Sequence, residues 1–210
     1  MQCSPDQVTI VLPTLGRKDL ATKAVQKIRE TAKFGRLLVV VNNDRWRTDL
    51  PDDLAVTGEH VRCEANAGVT RAVEAGVLAA VSPFICVVYD DIEIPEEGWL
   101  ERACKVYREK IGDRDGVVAL NDGIRSDIAC FPLMSRQFYM DHLFPVPYRR
   151  YYADTELGHK AQALGVYAVA TDAVVRHMNI GKHDADALRS EGRIFLGRME
   201  EFHKRFPSGS

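Results

Sequence analysis

Apolar runs and amphipathic stretches alternate over the first half of the chain. Val8-Thr9-Ile10-Val11-Leu12 is a β-branched run closed by Pro13, the pattern of a buried strand. The polar loop Thr14-Leu15-Gly16-Arg17-Lys18-Asp19 follows. Leu20, Ala24, Ile28 and Ala32 then recur four positions apart and predict a helix with one buried face. Arg36-Leu37-Leu38-Val39-Val40-Val41 reads as a second strand, closed by Asn42-Asn43-Asp44. Residues 45–60 are polar and irregular and hold a weak third strand. Val69, Val73, Gly76, Val77 and Ala80 predict a helix over 68–80. The strongest strand signal spans 84–89 and runs straight into Asp90-Asp91. Trp99, Ala103, Val106 and Lys110 set a helix over 96–110.

The second half is less regular. Val117-Val118-Ala119-Leu120 predicts a strand, and Asn121-Asp122-Gly123 a turn. Phe131 to Arg136 leads into a segment ending Phe144-Pro145-Val146-Pro147. Asp154 opens a helix running to about Leu164, with Gly165 as its stop. Val166-Tyr167-Ala168-Val169-Ala170 and Val174-Val175 are strand-like and deliver His177. Residues 184–206 predict an amphipathic helix carrying Leu188, Phe195, Met199 and Phe202. It closes over a site, packs on the core or forms a homodimer contact. Residues 207–210 read as a flexible tail.

Alternating strands and helices, with near-continuous apolar strands, predict an α/β fold: a mostly parallel sheet with helices on both faces, in a single domain spanning 1–206. Such sheets bind ligands at the carboxyl ends of their strands. That edge gathers Pro13-Thr14, Asn42-Asn43-Asp44 and Asp90-Asp91.

Composition adds limits more than chemistry. The 46% apolar and 28% charged residues are ordinary for a globular chain of 210. A net charge of -2 advertises no nucleic-acid or membrane partner in bulk. No window approaches the length of a membrane-spanning helix. The N-terminus lacks a secretory pattern. Cys3, Cys63, Cys86, Cys104 and Cys130 are odd in number and widely spaced, as expected of free thiols in a cytoplasmic protein.

Several residues carry candidate chemistry. Asp90, Asp91 and Glu93 crowd negative charge at a strand end, and clustered carboxylates want a cation among them. Mg²⁺ or Mn²⁺ bridging to phosphate oxygens is the natural partner. A helix cap near residue 96 is the alternative. Asp154 and Glu156 open a helix, as a cap and a first-turn carboxylate, or with Asp154 as a general base. His177 is followed by Lys182 and His183, placed to hold a leaving diphosphate. Asn66-Ala67-Gly68 offers a helix N-terminus to phosphate. Pro147-Tyr148-Arg149-Arg150-Tyr151-Tyr152 mixes cations with aromatics, as an acceptor surface or a packed loop. Arg149, Tyr151, Asp122, Arg136 and Glu156 are the acceptor-side candidates. The GxGxxG, GxxxxGK[ST], GxSxG, HExxH and SxxK patterns are absent.

The order of Val-Thr-Ile-Val-Leu-Pro-Thr (8–14), Leu-Val-Val-Val-Asn-Asn-Asp (38–44), Asn-Ala-Gly (66–68), Val-Val-Tyr-Asp-Asp-Ile-Glu-Ile-Pro with Trp99-Leu100-Glu101, and Ala-Asp-Thr-Glu-Leu (153–157) resembles the family-two glycosyltransferases of the GT-A (Rossmann-like) fold. The resemblance covers about residues 8–180. It implies sugar transfer from a nucleoside-diphosphate sugar, a UDP-sugar first, to an acceptor hydroxyl with inversion. It divides the chain into a nucleotide-sugar half (about 1–115), an acceptor half (about 116–183) and a C-terminal helix (about 184–206). Asp154 matches the catalytic base. Asp91, with Glu93 and His177, matches the metal site. Pro13, Thr14, Arg17, Asn43, Asp44, Asn66, Arg71, Asp90, Lys182 and His183 match donor-binding positions. The motif Tyr89-Asp90-Asp91-Ile92-Glu93 departs from a plain DxD, Asn42-Asn43 replace the usual aspartates, and Ala153 replaces a Glu. The acceptor stays open between a saccharide and a hydroxymethylated DNA base. A sugar-1-phosphate nucleotidyltransferase and a non-catalytic nucleotide-sugar-binding module are the competing classes.

Overall fold

Strand β1 (Val8–Thr14) is buried at every position, which explains why its sequence has no polar alternation. The computed structural model describes residues 2–14, 17–41, 59–62, 67–124, 128–178 and 184–207. β1 pairs in parallel with β2 (Arg36–Val41) on one side and with β4 (Phe84–Val87) on the other. β3 (Glu59–Arg62) extends the sheet beyond β2. β7 (Pro132–Ser135) runs antiparallel between β4 and β6 (Val117–Asn121), and β8 (Tyr167–Val174) pairs in parallel with β6. The order of this seven-stranded sheet is β3-β2-β1-β4-β7-β6-β8. A separate two-stranded ribbon joins β5 (Ile92–Glu93) to β9 (Arg176–His177).

Helices pack against this sheet. α1 (Lys18–Thr31) buries Ala21, Ala24, Val25 and Ile28. α2 (Val69–Ala79) lies close enough to β1 that a Cβ on Gly76 would stand 2.4 Å from the Val11 side chain, so the packing needs glycine there. α3 (Trp99–Val106) continues as a π-turn over Tyr107–Ile111. Its Trp99 is fully buried, and the indole N–H donates to Thr31 Oγ1 at 3.1 Å. α4 (Arg136–His142), α5 (Ala153–Ala163) and α6 (Ala185–Arg205) complete the fold. No described helix is long and apolar enough to cross a membrane. Cys3, Cys86, Cys104 and Cys130 are free thiols; Cys63 lies outside the described residues.

Local details differ from the sequence pattern. Pro13 sits inside β1, not after it. There β1 has run past its last partner on β4, Val87, and pairs only with β2. The strand expected over 84–89 stops at Val87, although the Val88 N–H still donates to the Val11 carbonyl. The helix expected from 96 begins at Trp99, capped by Gly98. The helix expected to open at Asp154 starts one residue earlier, with Tyr152 at its cap. The two strand-like pieces after Gly165 form one strand, β8.

Candidate active site

β4 carries the chain to the carboxyl edge of the sheet, and the next turn presents Asp90 and Asp91. Both are buried, at 3% and 8% exposure, so neither is a solvated loop carboxylate. Neither caps α3. Asp90 accepts a hydrogen bond from Thr14 Oγ1 at 2.7 Å, from the end of β1. Arg17 donates to Asp90 through Nε at 3.2 Å and through one terminal nitrogen, and to Asp91 Oδ2 through the other at 3.0 Å. Asp91 Oδ1 lies 3.0 Å from His177 Nε2. The β5–β9 ribbon makes this last contact across 86 residues, with Ile92 opposite His177 and the Met178 N–H on the Asp91 carbonyl.

Burial raises the Asp90 pKa, despite the opposing Thr14 hydrogen bond and Arg17 charge. At Asp91 burial also works upward, but His177 and Arg17 outweigh it and the pKa falls below the ordinary carboxylate value. The hydrogen bond to Asp91 raises His177 above its ordinary value against the effect of burial. Each shift favours the charged form of its group, so the contact strengthens both members of the pair.

Tyr89 links this centre to Asp154. Its ring stacks on His177 at 5.9 Å and 17°, and its hydroxyl feels the charges of Asp154 and Asp91. Asp154 does not cap α5. Its Oδ1 accepts from the Thr155 N–H at 2.8 Å, and its Oδ2 faces the Cys130 thiol at 3.8 Å. Burial raises the Asp154 pKa. Cys130 stands between Asp154 and the buried Asp122, and burial with both charges holds it as a neutral thiol. A cavity of about 60 Å³ opens beside Asp154, with apolar walls from Val73, Val87 and Leu157 and polar groups from Tyr89 and Arg150. Tyr139 also lines it, and its buried hydroxyl has no hydrogen-bond partner among the described residues.

The strap before α5 is held from two sides. Tyr152 adopts φ 68, a left-handed conformation rare for a non-glycine residue. Its ring stacks on Phe195 of α6 at 5.3 Å and 19°. Glu191 of α6 accepts from the N–H groups of Arg150 and Tyr151, and the Asp184 N–H donates to the Tyr151 hydroxyl. Thus α6 packs on the strap and on α5, which fixes the turn that presents Asp154. On the other side, Gly68 has φ 97, and a Cβ there would stand 2.1 Å from the Arg149 carbonyl oxygen.

The structure therefore gathers Thr14, Arg17, Asp90, Asp91, His177, Asp122 and Asp154 at one edge. Pro13 lies beside Thr14 in β1. Other expected residues have other positions. Glu93 is half exposed, and its carboxylate pairs with Arg176 at 3.3 Å; in the β5–β9 ribbon it stands opposite Arg176, whereas His177 stands opposite Ile92. Glu156 is completely buried among Tyr148, Lys160 and Arg198, which leaves no face for an acceptor. Arg136 donates to the Val77 carbonyl at 3.1 Å, and its N–H to Pro83, at the opposite end of β4. Arg71 pairs with Glu74 at 2.6 Å on the first turn of α2. Asn43, Asp44, Asn66, Lys182 and His183 lie outside the described residues. Tyr89 and Cys130 join the site without having been singled out, and Arg150 joins it from the segment expected as an acceptor surface or a packed loop. For Tyr89 a signal existed: period-two alternation puts it on the same face as Asp91.

This arrangement has counterparts among solved structures. A mannosyltransferase from Pyrobaculum calidifontis, in complex with GDP-Man and Mn²⁺, matches 99% of this chain and 67% of its own length at a TM-score of 0.64 and 16% identity. Glucosyl-3-phosphoglycerate synthase from Mycobacterium tuberculosis, in complex with Mn²⁺, UDP-Glc and phosphoglyceric acid, matches 93% of this chain and 79% of its own length at 0.61 and 14%. This chain has the GT-A glycosyltransferase fold. No family model and no curated protein matches it. In the GT-A frame, the mixed sheet with its antiparallel β7 puts the ends of β1, β4, β6 and β8 on one edge, together with the start of β7.

A divalent cation fits part of this centre. Asp91 Oδ1 and His177 Nε2, 3.0 Å apart, are an oxygen and a nitrogen donor close enough to share one ion. Among the described residues no group of three or more His, Cys, Asp or Glu side chains is clustered to hold an ion. Further ligands would come from water, a bound substrate or residues outside the described set.

Proposed function

We propose that this chain is a metal-dependent glycosyltransferase, moving a sugar from a nucleoside-diphosphate sugar to an acceptor hydroxyl with inversion. One observation carries the reading: the buried Asp90–Asp91–His177 centre and the cavity-lining Asp154 flank the same Tyr89 at the carboxyl edge of a GT-A sheet. That spacing separates a charge-neutralising site from a proton acceptor, as displacement at an anomeric carbon requires.

Each residue has a task in this reading. Pro13, Thr14 and Arg17 line the nucleotide side. Asp91 and His177 hold Mn²⁺ or Mg²⁺, which when bound neutralises charge on the departing diphosphate. Asp154 takes the acceptor proton. Burial raises its affinity for that proton, while the Thr155 N–H fixes one oxygen and the other faces the Cys130 thiol. Cys130 and Tyr89 keep bulk water from this carboxylate. Asn43, Asp44, Asn66, Arg71, Lys182 and His183 are further donor contacts in the same reading. So is the division into a nucleotide-sugar half at about 1–115 and an acceptor half at about 116–183. A cytoplasmic location agrees with the free thiols.

Thermal denaturation with UDP, GDP, CDP or dTDP, with and without Mn²⁺, tests this. One nucleotide is expected to stabilise only when Mn²⁺ is present, and Asp91→Ala to abolish the effect. At a hundredfold excess over Kd the gain is about 2.7 kcal/mol, or roughly 5–11 °C for a chain of this size. No shift with any nucleotide overturns the proposal.

A further inference from the structure

Arg17 is placed oddly for a residue that only binds a donor. Its guanidinium grips both carboxylates of the centre at once. The Arg17 side chain is 39% exposed, whereas those of Asp90 and Asp91 are 1% and 8% exposed. The guanidinium is therefore the most solvent-exposed member of this charged cluster.

Arg17 is also the partner that can leave. Asp90 keeps Thr14 Oγ1 at 2.7 Å, and Asp91 keeps His177 at 3.0 Å. Removing the guanidinium thus orphans neither carboxylate, although it leaves their mutual repulsion poorly compensated. A divalent cation on Asp91 Oδ1 would stand close to the guanidinium on Oδ2, and the two repel. A planar guanidinium pairs as well with a diphosphate as with carboxylates.

We propose that Arg17 is an exchangeable internal counter-ion of the Asp90–Asp91 pair, displaced by a divalent cation when a nucleoside diphosphate offers the guanidinium another anion. The inference rests on the glycosyltransferase reading of this site. It makes metal binding conditional on nucleotide: alone, the cation must expel Arg17 into water; with a diphosphate present, Arg17 moves from one anion to another. By linkage, nucleotide tightens metal and metal tightens nucleotide by the same factor.

The test is Mn²⁺ binding to the full chain, read by the electron paramagnetic resonance of free Mn²⁺. It compares Mn²⁺ alone with Mn²⁺ plus UDP, GDP, CDP or dTDP, for wild type, Arg17→Gln, Arg17→Lys and Asp91→Ala. In wild type one nucleotide is expected to tighten Mn²⁺ by about tenfold or more, the scale of a typical coupling. Arg17→Gln is expected to bind Mn²⁺ alone about tenfold tighter than wild type, with the nucleotide effect correspondingly reduced. Arg17→Lys keeps the charge without the fork and falls between the two. Should Arg17→Gln fail to fold, Arg17→Lys still has to bind Mn²⁺ alone more tightly than wild type. If wild type couples Mn²⁺ to nucleotide through Asp91 but neither Arg17 variant tightens Mn²⁺ alone, the counter-ion proposal falls and the function stands. If wild type binds no Mn²⁺ with any nucleotide, both fall.

Discussion

Glu156 decides between two roles for a carboxylate two residues from the proposed base. It is fully buried, and both of its oxygens accept from Arg198 Nε at 2.9 Å. Tyr148 and Lys160 donate to it as well. Lys160, whose side chain is 7% exposed, also donates to the His142 carbonyl at 2.6 Å. Glu156→Gln keeps the shape but leaves the Lys160 ammonium buried without its counter-charge. Breaking such a buried pair from one side costs about 3–5 kcal/mol. For a chain of this length, that lowers Tm by roughly 6–20 °C. Differential scanning calorimetry measures it directly, and urea unfolding checks that the m-value is unchanged. Turnover per folded molecule is expected to stay near wild type below the new Tm. A Tm change under about 2 °C refutes the buried-network account. An intact Tm with turnover reduced more than tenfold returns Glu156 to the acceptor side.

Three further outcomes follow from the site. Asp154→Asn is expected to lower kcat by about 10²–10⁴ while keeping the nucleotide-plus-Mn²⁺ thermal shift; losing the shift moves Asp154 to the donor side. The Asp91–His177 pair stabilises the metal-free protein within a pH window. The raised His177 contributes fully below 6.5 and loses this as pH climbs through its folded pKa. The lowered Asp91 contributes above 3.8 and loses this as pH falls through its folded pKa. In EDTA the Tm advantage of wild type over His177→Gln should therefore shrink above pH 6.5, and a pH-independent difference contradicts the pairing. Gly68→Ala, at φ 97 and against the Arg149 carbonyl, is expected to cost about 1–3 kcal/mol in urea unfolding; a loss under about 0.5 kcal/mol means the strap moves freely.

Much of this was readable from residue patterns, for identifiable reasons. β2 spans the very run Arg36–Val41 that its apolar pattern marks, because both its neighbours are parallel strands in a covered sheet. α6 falls within one residue of its amphipathic limits because Asp184 caps it, accepting from the N–H groups of Asp186 and Ala187. β7 was not legible: Pro132-Leu133-Met134-Ser135 is short, begins with proline and is an antiparallel insertion that no local period announces. β8 was split by Thr171-Asp172, which lie exposed at the outer edge of the sheet and carry no burial signal. The chemistry divides similarly. Asp90, Asp91 and His177 were visible because carboxylates at a buried strand end and a histidine closing a strand are local features. Cys130 was not, since its significance comes from lying between Asp122 and Asp154, which only the tertiary fold sets. Glu156 misled because a first-turn carboxylate usually faces water, and the arginine that buries it comes from 42 residues away.

The reversed strand β7 has an evolutionary consequence. Since β6 ends and β7 begins at the same edge, the connection between Asn121 and Pro132 leaves and re-enters the sheet beside Asp122, Cys130 and Asp154. A connection anchored so can gain residues without shifting any strand register, and each doubling of its length costs only about 0.6 kcal/mol in closure entropy. Lineages sharing this scaffold can therefore diversify the surface beside Asp154 by insertion at that point, leaving the ends of β1 and β4 untouched.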